Sequence, residues 1–341
     1  MKHIILVGAC YLDTILTVPH FPQEDAKLRA TALQIRRGGN CPNALEVLQQ
    51  LLLPPKPATA TAATKQVKTH LISSLPAADA PATRQVLESF ACGDEDEEDG
   101  SVRHRPDFSR CLYRKGCREA ASSFIIRSAA TGTRTIVNFN DLPEMTSAEF
   151  SALANDLIDH EDLTGQDTES WWHFEGRIPE TTLACIRHLR RVSPRSTISV
   201  EVEKPNRDGL DGLAAEADAV FYSRSWAERA ATRKKSGAEV NTWDANRPRP
   251  SSALMFCTWG AHGATALSRL SNESTTHQPS ETDIVVVDTV GAGDTFTAGM
   301  LYGMICHADD WNQGARLAFA VELATKKVQR EGFGGLATIA T

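Results

Sequence analysis

Short apolar runs recur along the chain, and polar or glycine residues follow most of them. The runs predict buried strands at residues 4–9, 67–73, 171–174, 197–202, 219–222 and 253–258. Apolar residues at helical spacing predict helices that begin at residue 40 and span 147–158, 180–191 and 311–330. Strands that alternate with helices are typical of a parallel sheet with crossover helices, so the pattern predicts an α/β fold.

Two other regions predict smaller β-structure. Residues 25–36 alternate loosely between apolar and polar positions, which predicts strands with one face covered. The β-rich runs at 122–127 and 133–139 suit a hairpin. The low-complexity residues 54–64 and the acidic run 94–99 predict surface loops, the latter because like charges repel. A calcium site in the acidic run is disfavoured because the run lacks glycine-punctuated alternation.

The segment DTVGAGD, residues 288–294, carries the strongest chemical signal. It follows a β-branched run at 284–287, which predicts a buried strand, and precedes an apolar stretch that predicts a helix. Small residues at Gly291, Ala292 and Gly293 let backbone N–H groups approach a bound anion at the helix start. Asp294 places a carboxylate beside that anion site, which suits phosphoryl transfer from a nucleotide to a hydroxyl. The alternative is a glycine turn in which Asp294 only caps the helix.

Other nucleotide-binding motifs are missing from the sequence. There is no G-x-x-x-x-G-K-[ST] phosphate loop. There is no G-x-G-x-x-G either, because Phe296 stands where the last glycine would be.

Composition narrows the class of protein. The 341 residues are 41% hydrophobic and 23% charged, which is ordinary for a globular protein. A net charge of −7 argues against nucleic-acid binding and against a polybasic membrane surface. No apolar run approaches the roughly 18–20 residues of a membrane span. Eight scattered cysteines without a C-x-x-C pair favour reduced thiols and a cytoplasmic protein.

Two motifs resemble those of one family. The string DTVGAGDTF at 288–296 resembles the C-terminal motif of the ribokinase-like (pfkB) carbohydrate kinases. Gly38-Gly39-Asn40-x-x-Asn43 resembles their N-terminal sugar-binding motif, and the strings at 173–177, 199–205 and 256–267 resemble the ketohexokinase subfamily. The resemblance implies a three-layer α/β sandwich with a central, mostly parallel sheet and a small β-sheet lid. The main domain would be 1–13, 37–104 and 141–341, and the lid 14–36 and 105–140.

The resemblance also implies site residues. Sugar hydroxyls would be held by Asp13, Gly39, Asn40, Asn43 and Asp294. Asp294 would be the catalytic base, beside an anion hole formed by Gly291, Ala292 and Gly293. The nucleotide would contact Arg134, Gly260, Ala261, His262, Gly263 and the 291–293 turn.

Cofactors and partners follow from the same resemblance. ATP and Mg²⁺ are implied, with K⁺ as a further candidate, and a ketohexose such as D-fructose would be the acceptor. The lids of two subunits would clasp in a homodimer, and Asp25 would reach the partner's sugar site.

The family's magnesium-organising Asn-x-x-Glu motif is replaced here by residues 223–226, which read SRSW. This departure leaves the metal ligands unassigned. Glu201 and Glu203 are candidates through water, because magnesium keeps several waters. Alternatively, Glu175 and Glu201 are solvated charges at strand ends.

Plainer interpretations compete with these roles. Asp13 can cap a turn, Asn40 and Asn43 can be helix-cap residues, and Arg134 can form a surface ion pair. Rival functions are a kinase for ribose, adenosine or fructosamine, and a catalytically silent sugar or nucleotide sensor. We favour the functional roles because Asp13, Asn40, Asn43 and Asp294 all fall at predicted strand ends or helix starts on one side of the sheet. The resemblance then implies an ATP-dependent ketohexose kinase.

Overall fold

The computed structural model describes residues 1–53, 67–90, 105–232, 254–269 and 271–336. The predicted surface loops at 54–64 and 94–99 lie outside the described residues. None of the helices in the described ranges is both long and apolar enough to cross a membrane.

An eight-stranded sheet forms the centre of the molecule, in the order β14-β13-β12-β11-β10-β9-β1-β4. The strands from β4 across to β12 are parallel, and β13 and β14 are antiparallel additions at one edge. Numbered in chain order, the strands of this sheet are β1 (Lys2–Val7), β4 (Val67–Ile72), β9 (Glu169–Phe174), β10 (Thr197–Val202), β11 (Ala219–Tyr222), β12 (Leu254–Thr258), β13 (Ala264–Ser268) and β14 (Glu273–His277).

A second, four-stranded sheet has the order β3-β2-β7-β8. Its strands are β2 (Tyr11–Val18), β3 (Ala32–Gly38), β7 (Ala121–Ser128) and β8 (Arg134–Phe139). The predicted hairpin is confirmed, since β7 and β8 pair antiparallel. Two short strands, β5 (Ser74–Pro76) and β6 (Leu112–Arg114), pair with each other outside this sheet.

Helices cover both faces of the large sheet, which gives three layers. Alternate residues of β1 show why: Ile4 and Leu6 enter one core and Ile5 and Val7 enter the other, because successive side chains of a strand point to opposite faces. The first core packs against α1 (Asn40–Leu51), α7 (Ala292–Cys306) and α8 (Gln313–Val328). The second packs against α3 (Ser147–His160), α4 (Pro179–Val192) and α5 (Leu210–Glu216). The remaining helices are α2 (Pro81–Glu88) and α6 (Arg224–Thr232).

Three local predictions were wrong. Residues 284–287 form no strand, and Val285 and Val286 are 72% and 59% exposed. No strand in the described ranges pairs with this segment. It meets the end of α8, where Val287 N–H donates to Val328 O over 2.8 Å. Asp13 lies within β2 rather than just beyond β1. In the 25–36 region only residues from Ala32 onward are strand, and the apolar side chains there point to solvent.

Candidate active site

The carboxyl ends of the parallel strands meet at one edge of the large sheet, where ligands bind in open α/β sheets. Residues 8–10 follow β1, Glu175 follows β9 and Glu203 follows β10. The turn Gly260–His262 follows β12 at the same edge. The site is therefore built from loops that a single sheet positions.

The glycine pair at the start of α1 lets the chain pass close to this edge. Gly39 has φ +106°, and a Cβ there would lie 2.2 Å from Ala9 O. A Cβ on Gly38 would lie 2.4 Å from Asp13 Oδ2. Only glycine fits at either position, so the pair presses β3 and α1 against the end of β1 and against Asp13.

Asp13 is buried in β2 and faces Ser123 on the neighbouring strand β7. Burial raises the pKa of the Asp13 carboxyl, whereas a hydrogen bond from Ser123 and the charges of Arg36 and Arg37 oppose the rise. A turn cap would need a backbone N–H partner, and Asp13 instead has a side-chain partner. The plain interpretation of Asp13 as a turn cap is therefore wrong.

The predicted anion-binding turn forms the start of α7. The helix begins at Ala292, one turn earlier than the apolar pattern indicates, and Gly291 occupies the cap position with φ +80°. A Cβ on Gly291 would lie 2.3 Å from the Phe333 ring, whereas a Cβ on Gly293 would meet no atom within 4 Å. Gly291 thus serves packing, and Gly293 leaves open space beside the helix terminus, where N–H groups and the dipole favour an anion.

Asp294 lies in the first turn of α7 and is half-buried. Its Oδ2 accepts a 2.7 Å hydrogen bond from Nδ2 of Asn43 on α1. Gly291, not Asp294, holds the cap position, so the interpretation of Asp294 as a simple N-cap is wrong. Asn43 in turn accepts from Arg37 Nη1 over 3.2 Å.

Asn40 contacts acidic residues rather than capping α1. Its Nδ2 donates to Glu201 Oε2 over 2.7 Å and to Glu203 Oε2 over 3.4 Å, and Gly39 occupies the cap position of α1. The interpretation of Asn40 as a helix-cap residue is therefore wrong. The two strings that the sequence suggested for sugar and metal, 38–43 and 199–205, meet at this amide.

Glu201 is buried, and a chain of hydrogen-bonded side chains fixes its position. His173 Nε2 lies 3.2 Å from Glu201 Oε1, and His173 Nδ1 lies 2.8 Å from Ser199 Oγ. Trp171 Nε1 donates to the same Ser199 Oγ over 2.8 Å. Burial lowers the pKa of His173 to about 3, so the ring is neutral, with Nδ1 suited to accept from Ser199 and Nε2–H to donate to Glu201. Glu201 is thus no solvated strand-end charge.

Several carboxyl groups crowd this edge and raise one another's pKa values. Burial, followed by the charge of Glu201, raises the pKa of Asp294 well above its usual range. Burial and Glu201 raise the pKa of Glu175 to about 7, and burial raises that of Glu201 to about 7. The Asn43 and Asn40 hydrogen bonds work against these shifts. Such a cluster gains from a bound cation and holds Asp294 ready to take up a proton.

A directly ligated metal cage is not formed by the residues that the structure describes: no group of three or more His, Cys, Asp or Glu side chains among them is arranged to hold a metal ion. Glu201 and Glu203 share the Asn40 amide, so their carboxylates lie close together. Two neighbouring carboxylates with few direct ligands suit Mg²⁺ that keeps most of its waters.

Three arginines from three strands of the small sheet contact successive residues just before the turn. Arg127 donates to Val287 O over 3.0 Å, and Arg36 pairs with Asp288 Oδ2 over 3.0 Å. Arg134 donates to Thr289 Oγ1 over 3.3 Å. Its partner is therefore a hydroxyl group and not the carboxylate of a surface ion pair. The small sheet is therefore fastened to the segment that leads into the 291–293 turn.

Asp288 is the centre of that attachment. The fully buried Lys327 of α8 donates to Asp288 O and to Asp288 Oδ2, each over 2.9 Å. Lys327, the Val290 N–H and Arg36 lower the pKa of Asp288 to about 2 against the effect of burial.

A small cavity of about 50 Å³ lies at the carboxyl edge of the large sheet. Residues 8–10, Glu175 and Arg177 are among the residues that line it.

The sequence did not single out Arg36, Arg37, His173 or Lys327. The adjacent arginines before the glycine pair were a visible signal, because two buried arginines need acidic or amide partners. His173 and Lys327 gave no such signal, since a single histidine or lysine in an apolar run is compatible with many environments.

The predicted nucleotide residues 260–263 lie at the carboxyl edge of the large sheet. The turn Gly260–His262 is exposed there, and Gly263 is buried against the end of β14.

Comparisons with known proteins agree on one family. The model of the pfkB family carbohydrate kinases matches residues 108–338. Ketohexokinase of Mus musculus is 26% identical over 343 aligned residues, covering 98% of this chain and 99% of that protein. A nucleoside kinase of Methanocaldococcus jannaschii, an archaeal member of the ribokinase family, superposes with a TM-score of 0.68 at 15% identity, covering 100% of this chain and 98% of that one.

Ribokinase of Arabidopsis thaliana, solved with ribose and ATP, has a TM-score of 0.67 at 14% identity, with coverage of 99% and 98%. These structural likenesses show the fold, which is ribokinase-like as predicted. The chain has the phosphotransferase framework of this group, and it belongs to the pfkB family of carbohydrate kinases.

Proposed function

We propose that the protein transfers the γ-phosphate of ATP to a hydroxyl of a ketohexose, and that it converts D-fructose to fructose 1-phosphate. The observation that carries the proposal is the 2.7 Å hydrogen bond that joins Asn43 of the sugar motif to Asp294 of the anion-binding turn. A sugar held by the first motif would thereby present its hydroxyl to the carboxylate of the second. The likeness to mouse ketohexokinase over nearly the whole of both chains supports this choice of acceptor.

The sugar would be bound by Asp13, Gly39, Asn40, Asn43 and Asp294. Sugar recognition needs fixed donors and acceptors, and a carboxylate with paired amides supplies both. Asp13 is buried, and Asn40 and Asn43 each have their amide held by a charged partner. Their polar groups are thus oriented before the sugar binds, which reduces the entropic cost of binding.

The chemical step uses Asp294 as the general base. Its raised pKa favours uptake of the proton from the attacking hydroxyl, whose oxygen bonds to the γ-phosphorus while the bond to ADP breaks. Backbone N–H groups of Gly291, Ala292 and Gly293 would stabilise the charge on the transferring phosphoryl group. The open space beside Gly293 leaves room for that group.

The nucleotide would run from this turn along residues 260–263. Arg134 lies at Thr289, two residues before the turn, where its guanidinium can reach a nucleotide phosphate by a change of rotamer. Mg²⁺, when bound through water to Glu201 and Glu203, would neutralise charge on the phosphates. K⁺ is retained as a candidate activator, which the assay below tests.

The small sheet would act as a lid over the sugar. Its strands lie within 11–38 and 121–139, whereas the sequence placed the lid at 14–36 and 105–140. A lid that excludes water limits wasteful hydrolysis of ATP. Its inner face carries Asp13 and the three arginines that bind residues 287–289.

Seven cysteines of the described residues are free thiols, which supports the proposed cytoplasmic location.

The outer face of the lid supports the proposed homodimer. Alternate strand positions expose large apolar side chains on that face, namely Leu16, Leu33, Ile35, Phe124, Val137 and Phe139. A continuous exposed apolar face of this kind marks a protein interface. We propose that a second copy of the lid covers it, with Asp25 of each loop at the partner's sugar.

The test is a panel of acceptors with coupled detection of ADP. Fructose, other ketohexoses, ribose, adenosine and fructosamine are compared with ATP, with and without Mg²⁺ and K⁺. Phosphorylation of fructose at the 1-hydroxyl with the highest kcat/KM supports the proposal. A higher kcat/KM for ribose, adenosine or fructosamine overturns the acceptor, and no ADP formation with any acceptor favours a silent sensor.

A further inference from the structure

Arg37 lies next to the catalytic machinery without belonging to any of the motifs that identify the family. It is 4% exposed at the end of β3, immediately before the glycine pair. Its Nη1 donates to Asn43 Oδ1 over 3.2 Å, and Asn43 Nδ2 donates to Asp294 Oδ2 over 2.7 Å. The three side chains therefore form a directed line from the small sheet to the proposed base.

The direction of this line is dictated by chemistry. A guanidinium has only donors, so the atom of Asn43 that faces Arg37 must be its carbonyl oxygen. The NH₂ nitrogen of Asn43, Nδ2, then faces Asp294 and can only donate to it. Without Arg37, the side-chain amide of Asn43 could turn by 180° and present its oxygen to Asp294 instead.

The difference matters because of the charge around Asp294. Burial and the nearby carboxylates of Glu201, Glu203 and Glu175 raise its pKa, and the hydrogen bond from Asn43 opposes the rise. A donated hydrogen bond stabilises the carboxylate form, whereas a facing oxygen would stabilise the protonated acid. A protonated Asp294 cannot accept a proton from the sugar hydroxyl.

Arg37 is itself fixed from three other directions. It forms an ion pair with Glu46, which lies one turn beyond Asn43 on α1. Its Nε donates to Ser89 Oγ over 3.1 Å, and its guanidinium carbon lies 4.2 Å from the centre of the Phe90 ring. These contacts fix the position of the guanidinium, so that its Nη1 is the atom that donates to Asn43.

We propose that Arg37 is a positioning residue that fixes the amide orientation of Asn43 and thereby keeps Asp294 ionised for catalysis. The inference rests on the proposed role of Asp294 as the base. Arg37 is not among the residues proposed to bind the sugar or the nucleotide. Its charge also acts on the carboxyl of Asp13, so the route through Asn43 has to be tested separately.

The experiment compares the pH dependence of kcat in four proteins: wild type, Glu46→Gln, the double variant Arg37→Met/Glu46→Gln, and Arg37→Lys. The Glu46→Gln change in the double variant removes the carboxylate that Met would otherwise leave unpaired. In the double variant we expect the acid limb of the profile to move to higher pH by about one pH unit. Because one pH unit is a tenfold change in protonation, kcat falls about tenfold at pH values below both acid limbs and equals the wild-type value at pH values above them.

The controls separate orientation from packing. Glu46→Gln alone keeps the Arg37–Asn43 bond and should keep the wild-type profile. Arg37→Lys keeps a donor and should also retain the position of the acid limb. An equal loss of kcat at every pH in the double variant, or a wild-type profile, overturns the proposal.

A double-mutant cycle with Asn43→Ala tests the route of the effect. If Arg37 acts through Asn43, its removal has no further effect on the acid limb in the Asn43→Ala background. A full additive shift in that background overturns the proposal. If Arg37→Met/Glu46→Gln does not fold, Arg37→Leu/Glu46→Leu replaces it, because an apolar pair can substitute for a buried ion pair without loss of stability. An acid limb at the wild-type position in that variant overturns the proposal.

Failure of the proposal is distinguishable from failure of the proposed function. If Asp294 is not the base, Asp294→Asn retains turnover and no variant moves an acid limb. If only Arg37 is wrongly assigned, Asp294→Asn abolishes turnover while the Arg37 variants keep the wild-type profile.

Discussion

Asn43 Nδ2 lies 2.7 Å from Asp294 Oδ2, although the two residues are 251 positions apart in the sequence. The bond joins the first turn of α1 to the first turn of α7, and these two helices pack side by side on the same face of the large sheet. Each helix start follows a glycine with positive φ, Gly39 and Gly291. The two motifs therefore meet directly at this hydrogen bond.

Replacing the proposed base should separate binding from turnover. Asp294→Asn keeps the shape of the side chain and removes its ability to accept a proton. We expect kcat to fall by about 10²–10⁴, the usual contribution of general base catalysis, while the sugar dissociation constant changes little. The measurement is steady-state kinetics with calorimetric sugar binding. Near-normal kcat would show that Asp294 is not the base.

The two glycines of the proposed anion-binding turn should respond differently to the same substitution. Gly291→Ala places a Cβ at φ +80° and 2.3 Å from Phe333, so we expect a loss of stability of at least ~1–2 kcal/mol from the backbone conformation alone. Gly293→Ala meets no protein atom within 4 Å, so it should fold normally. In the proposed anion hole, however, the added methyl group occupies the phosphate's space and should lower kcat strongly.

Thermal unfolding and kcat, measured on both glycine variants, check this pair. Each variant is the control for the other, because they differ only in position within one turn. Full activity of Gly293→Ala would exclude the transferring phosphate from this turn.

Stability should depend on pH through the buried carboxyl of Glu175. Its pKa of about 7 in the folded protein exceeds its ordinary value of 4.5, so the folded state holds the proton more tightly than the unfolded state. Stability that this group contributes is therefore present at low pH and is lost as pH rises from about 4.5 to about 7.

Glu175→Gln removes the charge and should keep an acceptor for the Ala9 N–H, which now donates to Glu175 Oε2 over 2.8 Å. We expect the variant to exceed wild type in unfolding free energy above pH 7, by on the order of 1–3 kcal/mol, and to lose that advantage near pH 5. Chemical denaturation at pH 5 and pH 8 measures the difference. An equal advantage at both values would contradict a titrating Glu175.

Removing one partner of the Lys327–Asp288 ion pair should lower the free energy of unfolding more than replacing both partners. Lys327→Met removes the fully buried partner of Asp288 and leaves Arg36 as its charged partner. Breaking a buried ion pair costs about 3–5 kcal/mol, and the remaining Arg36 contact should keep the loss towards the lower end of that range. Lys327→Met combined with Asp288→Asn should recover part of that loss, because residue 288 then carries no buried charge. The Arg36 guanidinium loses its carboxylate partner in this variant, but its side chain is 15% exposed and therefore reaches water. Denaturant titrations of the two variants test this. Equal destabilisation by the single and double changes would show that the pairing is unimportant.

The proposed homodimer should depend on the outer face of the small sheet. Ile35→Lys combined with Phe124→Lys places charges where both side chains are about half exposed, 52% and 48%. We expect the variant to sediment as a folded monomer with a cooperative unfolding transition, since neither side chain is in the core. Its Tm should no longer depend on protein concentration, because no dimer contributes to stability. The control is Val286→Lys, an exposed apolar position outside the small sheet, which should leave the oligomeric state unchanged. A dimeric double variant would move the interface elsewhere.

The sequence by itself determined the α/β class, most of the parallel strands, the two motifs and the family. These features are local: strand and helix periods, glycines that a turn requires, and a short acidic string are all legible within about ten residues. Strands 197–202 and 219–222 and the helix that begins at Asn40 lie where the pattern placed them.

Tertiary structure alone decided which side chains face one another. Residues 284–287 have the composition of a buried strand, yet none of the strands that the structure describes pairs with them, and Val285, Val286 and Val287 are exposed. Asn40 has the position of a cap residue, but it contacts Glu201 and Glu203, 161 and 163 residues away. Hydrogen-bond partners and pKa values depend on distance and burial in space, and the order of residues along the chain does not contain either quantity.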